Sequence, residues 1–195
     1  KWFGDIPIKP EGRFVLGDEK TIPRSPKAEV YALIEEDLQY AVANLTYTAP
    51  QTGRATKGSA QALLGKVYLF QDKFEESAAV LDNLIQSGTY VLESDYNQIF
   101  EFAGENGSGS VFEVQYTDIE GAGFDCLQCS EGNVAVGFQG VRGYDGDLFT
   151  SGFSFNVPTQ EVVDEFEAGD NRKDVAILDI EAWAASTGAS YTTGY

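Results

Sequence analysis

The segment from residue 53 to residue 70 constrains the fold most, because it combines a helix start with small residues spaced for close helix packing. Thr56 can cap a helix through its hydroxyl. Apolar side chains then recur at helical spacing, and they are Leu63, Leu64, Val67, Tyr68 and Phe70. The small residues between them would let a second helix approach closely, and they are Ala60, Ala62 and Gly65. We therefore predict a helix from about Thr56 to Gln71.

A second amphipathic segment follows at once, from Lys73 to Gln86, and Gly88 is placed to end it. Its apolar residues are Ala78, Leu81, Leu84 and Ile85. In the preceding helix, Leu64-Gly65-x-x-Tyr68 fits part of the tetratricopeptide repeat pattern. The two segments together predict one helix pair of an α-solenoid.

An earlier helix is predicted from Ser25 to about Asn44. Ser25 is a good N-cap, Pro26 suits the first helical position, and Glu29 lies in the first turn. One face of this helix is apolar, formed by Val30, Leu33, Ile34, Leu38, Ala41, Val42 and Leu45. The opposite face carries polar residues that we expect to be solvated, and they are Glu35, Glu36 and Gln39.

The rest of the chain is less regular. Residues 1–24 form an extended lead-in, 25–88 the helical region, 89–157 a loop-rich region, and 158–195 a helix and a tail. Short strands are predicted at Ser110–Tyr116 and Phe153–Val157. Pro158-Thr159 begins a further helix that buries Val162, Val163 and Phe166 and ends at Gly169. The predicted fold class is mainly α, with tetratricopeptide-like helix pairs packed against a loop-rich region that contains a few short strands.

The charge of the chain restricts its partners. It contains 31 acidic and 13 basic residues, for a formal net charge of −18. Such a surface repels phosphate backbones and anionic lipid headgroups, so nucleic acid is not an expected partner. No run of 18 apolar residues occurs, so no membrane-spanning helix is predicted.

The chain has few residues that are suited to binding a metal or to redox chemistry. The chain has no histidine, and Cys126 and Cys129 are its only cysteines, so a zinc site is not expected. A local disulfide and two free thiols both remain open. Asp145-Gly146-Asp147 could offer oxygen ligands to calcium, but the oxygen ladder and closing glutamate of an EF-hand are missing. No cofactor is predicted.

Catalysis also lacks a recognisable signature. No histidine is present to act as a base, and neither a Gly-x-Ser-x-Gly elbow nor a phosphate-binding Gly-x-x-x-x-Gly-Lys-Ser/Thr loop occurs. Glycoside hydrolysis needs only two well-spaced carboxylates, and with 31 acids such pairs are uninformative. We predict that the chain is not an enzyme, and keep an extracellular glycan-active enzyme as an alternative.

The glycine- and aromatic-rich stretch from Tyr116 to Phe155 has the residue types of a sugar-binding surface. Aromatic faces pack on the C–H surfaces of sugars, while polar side chains hydrogen-bond the hydroxyls. The candidate faces are Tyr116, Phe124, Phe138 and Tyr144, and the candidate polar contacts are Gln139, Arg142, Asp145 and Asp147. Tyr144 is the strongest candidate because its neighbours indicate a polar, exposed setting. The competing interpretation is that most of these aromatic rings are buried anchors of a long loop.

Five segments in the same order and spacing resemble the SusD/RagB family, the outer-membrane nutrient-binding lipoproteins of Bacteroidota. They are Trp2–Pro7, Pro23–Tyr31, Gly53–Gly58, Ser110–Tyr116 and Pro158–Arg172. The resemblance covers nearly the whole chain and implies one SusD-like domain over residues 1–195, corresponding to the central part of a longer protein. Arg54, Thr56 and Lys57 are interpreted as a helix start rather than as ligand contacts.

The resemblance also implies a function and a location. Family members are surface-exposed lipoproteins of the cell outer membrane that capture oligosaccharides, or in some branches peptides. They pass them to a SusC-like TonB-dependent transporter, and a lipid anchor in the N-terminal region would tether this protein. The chain departs from starch-binding members in having no tryptophan between Phe3 and Ala182. The alternative is a helical-repeat scaffold that binds peptides or proteins.

Overall fold

The computed structural model describes residues 3–9, 12–115 and 135–193, with side chains described from Gly137 onward in the last range. Contacts within the chain group it into two compact units. The first unit comprises Lys1–Glu93 and Glu105–Val114, and the second comprises Ser94–Gly104 and Gln115–Tyr195.

The described part of the first unit contains three α-helices, α1 (Lys27–Asn44), α2 (Lys57–Leu69) and α3 (Phe74–Gln86), and a 3-10 turn at Asp18–Lys20. Helix α2 lies between the other two and packs against both. Its buried side chains Ala60, Leu64 and Val67 form the centre of the core, together with Leu84 of α3 and Tyr31 of α1. The predicted helix pair is confirmed, with bounds that agree to within about two residues.

The start of α2 is fixed by a capping box. The Thr56 hydroxyl accepts a hydrogen bond from the backbone N–H of Ser59 at 3.1 Å, and the backbone N–H of Thr56 donates to the Ser59 hydroxyl at 2.8 Å. This arrangement satisfies two backbone donors at the helix terminus. The predicted role of Thr56 as the N-cap is therefore confirmed.

The small residue at position 65 permits the close packing of α2 and α3. A Cβ added to Gly65 would lie 2.6 Å from Cδ2 of Leu81, which is closer than side chains tolerate. The buried Ser77 hydroxyl donates to the carbonyl of Gly65 at 2.8 Å, so a polar contact joins the two helices at the same point. Ile85 was predicted on the apolar face of α3, but the structure exposes it.

Helix α1 begins differently from the prediction. Ser25 is not its N-cap, because Arg24–Ser25 forms strand β2, which pairs antiparallel with strand β1 (Ile6–Pro7). The cap comes from the lead-in: the carboxylate of Asp5 accepts a hydrogen bond from the backbone N–H of Lys27 at 2.9 Å. Arg24 holds the lead-in in place by donating to the carbonyl of Asp5 at 2.7 Å.

The polar face of α1 is also not simply solvated. Glu35 accepts hydrogen bonds from Gln71 at 2.6 Å and Lys73 at 2.5 Å, and Gln39 donates to the Tyr68 hydroxyl at 2.9 Å. Desolvation favours a higher pKa for Glu35, but the hydrogen bonds from Lys73 and Gln71 outweigh it and lower the pKa. The prediction of a solvated face is therefore wrong for Glu35, which is partly buried and joins α1 to the α2–α3 turn. Gln39 is exposed, as predicted, although it contacts Tyr68 of α2.

In its described residues, the second unit contains four short α-helices: α4 (Ala135–Gln139), α5 (Gln160–Asp164), α6 (Arg172–Ala176) and α7 (Ile180–Thr187). Single 3-10 turns lie at Tyr96–Phe100 and Phe102–Gly104. The helix predicted from Thr159 is present but short, and Val162 is half exposed rather than buried. The described residues of the two predicted strands, 110–115 and 153–157, are irregular rather than strands.

The fold class is confirmed as mainly α, with tetratricopeptide-like helix packing and few short strands. None of the helices in the described ranges has both the length and the apolar character needed to cross a bilayer.

Candidate functional site

The structure describes six of the eight predicted ligand-binding residues. Phe138, Gln139, Arg142, Tyr144, Asp145 and Asp147 lie in the second unit between α4 and α5 or at the end of α4. Tyr116 and Phe124 lie outside the described residues, as do Cys126 and Cys129.

Main-chain hydrogen bonds join residues 137–142 to residues 152–155. The N–H groups of Phe153 and Phe155 donate to the carbonyls of Gly137 and Phe138, both at 2.8 Å, and the N–H of Gly152 donates to the carbonyl of Val141 at 2.9 Å. A Cβ added to Gly152 would lie 2.5 Å from the backbone of Gly140. The two segments therefore approach too closely for any side chain at position 152.

This frame brings three phenylalanine rings together, and we call Phe138, Phe153 and Phe155 the phenylalanine cluster. The ring centroids of Phe153 and Phe155 are 5.4 Å apart with planes inclined by 18°, and those of Phe138 and Phe155 are 6.1 Å apart at 27°. Phe153 is 46% exposed and Phe155 is 64% exposed. The cluster thus presents aromatic surface to solvent, although three packed phenylalanines would ordinarily be buried.

Arg142 braces the backbone that carries the cluster. Its guanidinium Nη2 donates to the carbonyl of Phe153 at 3.0 Å, and its backbone N–H donates to the Ser154 hydroxyl at 2.9 Å. The carbonyl of Arg142 accepts from the N–H of Thr192 at 2.9 Å. Gln139 lies at the end of α4, next to Phe138, and its side chain is exposed.

The predicted exposed setting of Tyr144 is wrong, because its ring is only 6% exposed. The ring packs edge-on against Phe149, with centroids 5.8 Å apart, and Phe149 packs against Trp183 at 5.3 Å. The Tyr144 hydroxyl donates to the carbonyl of Asp147 at 2.7 Å and accepts from Nε1 of Trp183 at 3.1 Å. Polar neighbours in the sequence indicated exposure, but the ring is the apolar part of the residue and packs inward.

Asp145 and Asp147 are exposed and are held through their main-chain atoms. Asp145 exchanges two backbone hydrogen bonds with Ser190, each 2.9 Å long, and Asp147 offers its carbonyl to Tyr144. Across the described ranges, no group of three or more carboxylate or thiol side chains is arranged to hold a metal ion.

Phe153 and Phe155 were not among the predicted ligand-binding residues. The signal in the sequence is the spacing Phe153-x-Phe155, although the two rings do not meet through the alternation of a strand, because Ser154 between them has a φ of 53°. The strand predicted at Phe153–Val157 contained that spacing. The missing information was the partner segment, which a local pattern does not specify.

A separate ion pair organises the turn before α6. Both nitrogens of the Arg172 fork contact the carboxylate of Asp170, Nε at 2.9 Å and Nη2 at 2.5 Å. The hydrogen bonds from the Arg172 side chain, followed by its backbone N–H, lower the pKa of Asp170 to about 2. Both residues belong to the Pro158–Arg172 segment, so this part of the resemblance reflects a structural turn.

Comparison with known proteins gives a consistent result. No protein-family model matches the chain. A protein named SusD-like protein P2 from Formosa agariphila is 29% identical over 181 residues, which cover 90% of this chain and 34% of the relative. The chain therefore spans about a third of the length of that relative.

Solved structures agree with the sequence similarity. A SusD superfamily protein from Parabacteroides distasonis superposes with a TM-score of 0.66 at 27% identity, covering 87% of this chain and 36% of the other. Surface glycan-binding protein A from Bacteroides thetaiotaomicron, solved with laminarihexaose, superposes with a TM-score of 0.68 at 20% identity. The superposition covers 88% of this chain and 40% of the other, so the two proteins share the fold.

The names of these relatives describe SusD-like and glycan-binding proteins, which agrees with the prediction of binding without catalysis. The sequence similarity and the shared fold agree with the resemblance found in the sequence: over most of its length, the chain is similar to SusD-like proteins.

Proposed function

We propose that this chain captures an oligosaccharide at the phenylalanine cluster. The observation that carries the proposal is the exposure of Phe153 and Phe155, whose rings pack together and yet leave aromatic surface open to solvent. Flat aromatic surfaces suit the C–H faces of sugar rings, and a few polar groups then fix the orientation of the sugar.

Neighbouring residues supply the polar part of the proposed site. Gln139 adjoins Phe138 and has an exposed amide that can both donate to and accept from sugar hydroxyls. Asp145 and Asp147 are exposed acceptors in the same unit. In this proposal Arg142 and the buried Tyr144 support the backbone around the site, since both already have intramolecular partners.

The relatives support the same function. A protein of this fold has been solved with laminarihexaose, so the fold is used to bind an oligosaccharide. We propose further that the protein works at the cell surface as an outer-membrane lipoprotein and delivers its glycan to a SusC-like TonB-dependent transporter for import. This step is tested by isolating the natural full-length protein from outer membranes of the native cells. Co-purification of a TonB-dependent transporter would support it, and isolation of the protein without such a transporter would contradict it.

The glycan proposal is tested by binding measurements on a variant that lacks two rings. The chain is screened on a glycan array, and the best ligand is measured by calorimetry with the wild type and with Phe153→Ala/Phe155→Ala. Truncating an aromatic residue at a binding hot spot costs on the order of 2 kcal/mol, so we expect affinity to fall more than tenfold.

The matched control is Phe102→Ala, because Phe102 is also an exposed phenylalanine of the second unit and lies in a 3-10 turn outside the cluster. It should leave the affinity unchanged. Equal loss in both variants, or binding to peptides with none to any saccharide, would contradict the proposal, and the second result would favour the peptide-binding alternative.

A further inference from the structure

The negative charge of the chain is concentrated in the unit that contains the phenylalanine cluster. Ser94–Gly104 and Gln115–Tyr195 together contain sixteen acidic and three basic residues. The second unit therefore carries thirteen of the eighteen net negative charges. The first unit, with fifteen acidic and ten basic residues, is much closer to neutral.

The three cations of the second unit are Arg142, Arg172 and Lys173. The Arg172 guanidinium is paired with the carboxylate of Asp170. Arg142 is the cation of the segment that carries the cluster, and its guanidinium donates to the carbonyl of Phe153. Bidentate arginine contacts are the usual means of binding a carboxylate or sulfate group. In this unit, the Arg142 guanidinium instead binds the protein's own backbone, and the Arg172 guanidinium binds Asp170.

Exposed carboxylates of the same unit would repel an anion instead of binding it. Asp145 and Asp147 are exposed and lie three and five residues beyond Arg142. Like charges brought together across an interface cost free energy and select against the wrong partner. An anionic glycan approaching this surface would meet net repulsion, whereas an uncharged glycan would lose nothing.

We infer that the phenylalanine cluster selects uncharged glycans and rejects glycans that carry carboxylate or sulfate groups. This inference rests on the proposed function and narrows its ligand class. Recognition is then by aromatic stacking and hydroxyl hydrogen bonds, so binding should depend little on ionic strength. Rejection of polyanions should be strongest at low salt, where charges are least screened.

The test uses pairs of polysaccharides that share a backbone and differ in charge. The probes are laminarin with sulfated laminarin, hydroxyethyl cellulose with carboxymethyl cellulose, and methyl-esterified with de-esterified homogalacturonan. Affinity electrophoresis of the full chain is run in native gels containing each polymer at low salt and at physiological salt. We expect retardation by the neutral member of at least one pair and none by its anionic counterpart.

The outcomes separate the two proposals. Retardation by an anionic member without its neutral partner, abolished by Phe153→Ala/Phe155→Ala, would overturn the charge selection and leave glycan capture standing. Retardation by no member of any pair would overturn both. A further variant, Asp145→Asn/Asp147→Asn, keeps the hydrogen-bonding shape and removes two charges. It should increase retardation by the anionic member, and no change with the anionic member would contradict the role of these carboxylates.

Discussion

The carboxylate of Asp5 accepts a hydrogen bond from the backbone N–H of Lys27 across 22 residues of sequence. A negative group at a helix N-terminus satisfies a free N–H and interacts favourably with the helix dipole. The lead-in that precedes α1 is therefore part of the helical unit, and the Asp5-Ile6-Pro7 motif has a definite structural role.

Removing this cap should destabilise the first unit. We expect Asp5→Ala to lower the free energy of unfolding by about 0.5–2 kcal/mol, the range found for helix caps. Urea denaturation followed by circular dichroism measures the change. Asp5→Asn keeps an oxygen acceptor, so its free energy of unfolding should fall clearly less than that of Asp5→Ala. Equal decreases in the two variants would refute the capping role.

The packing of α2 on α3 should be sensitive to one methyl group. In an open helix, Gly→Ala stabilises by up to about 1 kcal/mol. At Gly65 the added Cβ meets Leu81, so we expect Gly65→Ala to destabilise by roughly 1–3 kcal/mol, as overpacking does. Thermal or urea unfolding of the purified chain gives the value.

A double-mutant cycle isolates that contact. Leu81→Ala removes the side-chain atoms that clash with the added Cβ. In the Leu81→Ala background, Gly65→Ala should therefore lower the free energy of unfolding little or not at all. Additive losses from the two changes would show that the effect of Gly65→Ala arises elsewhere.

The Tyr144 hydroxyl should stabilise the second unit through its two hydrogen bonds. Tyr144→Phe keeps the buried ring and leaves the Trp183 indole N–H and the Asp147 carbonyl without this partner. Losing a buried partner costs about 1–3 kcal/mol, so the midpoint of unfolding should fall. The intrinsic fluorescence of Trp183 measures this midpoint. Adding Trp2→Phe to both the wild type and Tyr144→Phe removes the signal of the other tryptophan. An unchanged midpoint would contradict the role of the hydroxyl.

Asp170 should titrate far below an ordinary aspartate. Because hydrogen bonds from Arg172 lower its folded-state pKa to about 2, their stabilising effect is present above the unfolded-state pKa and is lost as pH falls from about 4 toward 2. Carboxyl-carbon NMR of the labelled protein follows the titration directly. Arg172→Gln should raise the Asp170 pKa toward 3.8, and an unchanged value would show that Arg172 is not the cause.

Local patterns in the sequence predicted the helical unit well. Thr56 caps α2 and Gly65 admits α3, as predicted, because a capping hydroxyl and a small residue act on neighbours within a few residues or on the next helix. Asp5 could not be assigned as the cap of α1 in the same way, because its partner lies in a distant part of the sequence.

The candidate site was harder to predict for a physical reason. Phe153 and Phe155 become neighbours of Phe138 through main-chain hydrogen bonds, and such bonds leave no pattern of residue types. Tyr144 shows the converse, since its polar neighbours are exposed while its ring is packed against Phe149.

The hydrogen bonds that hold Phe153 and Phe155 beside α4 join main-chain atoms, so they do not depend on the identity of either side chain. Within residues 152–155, glycine is required at position 152, where the backbone of Gly140 leaves no space for a Cβ. Positions 138, 153 and 155 can therefore be varied together while the backbone stays in place. This makes the segment a natural starting point for directed evolution of altered sugar preference, with Gly152 held constant in every library.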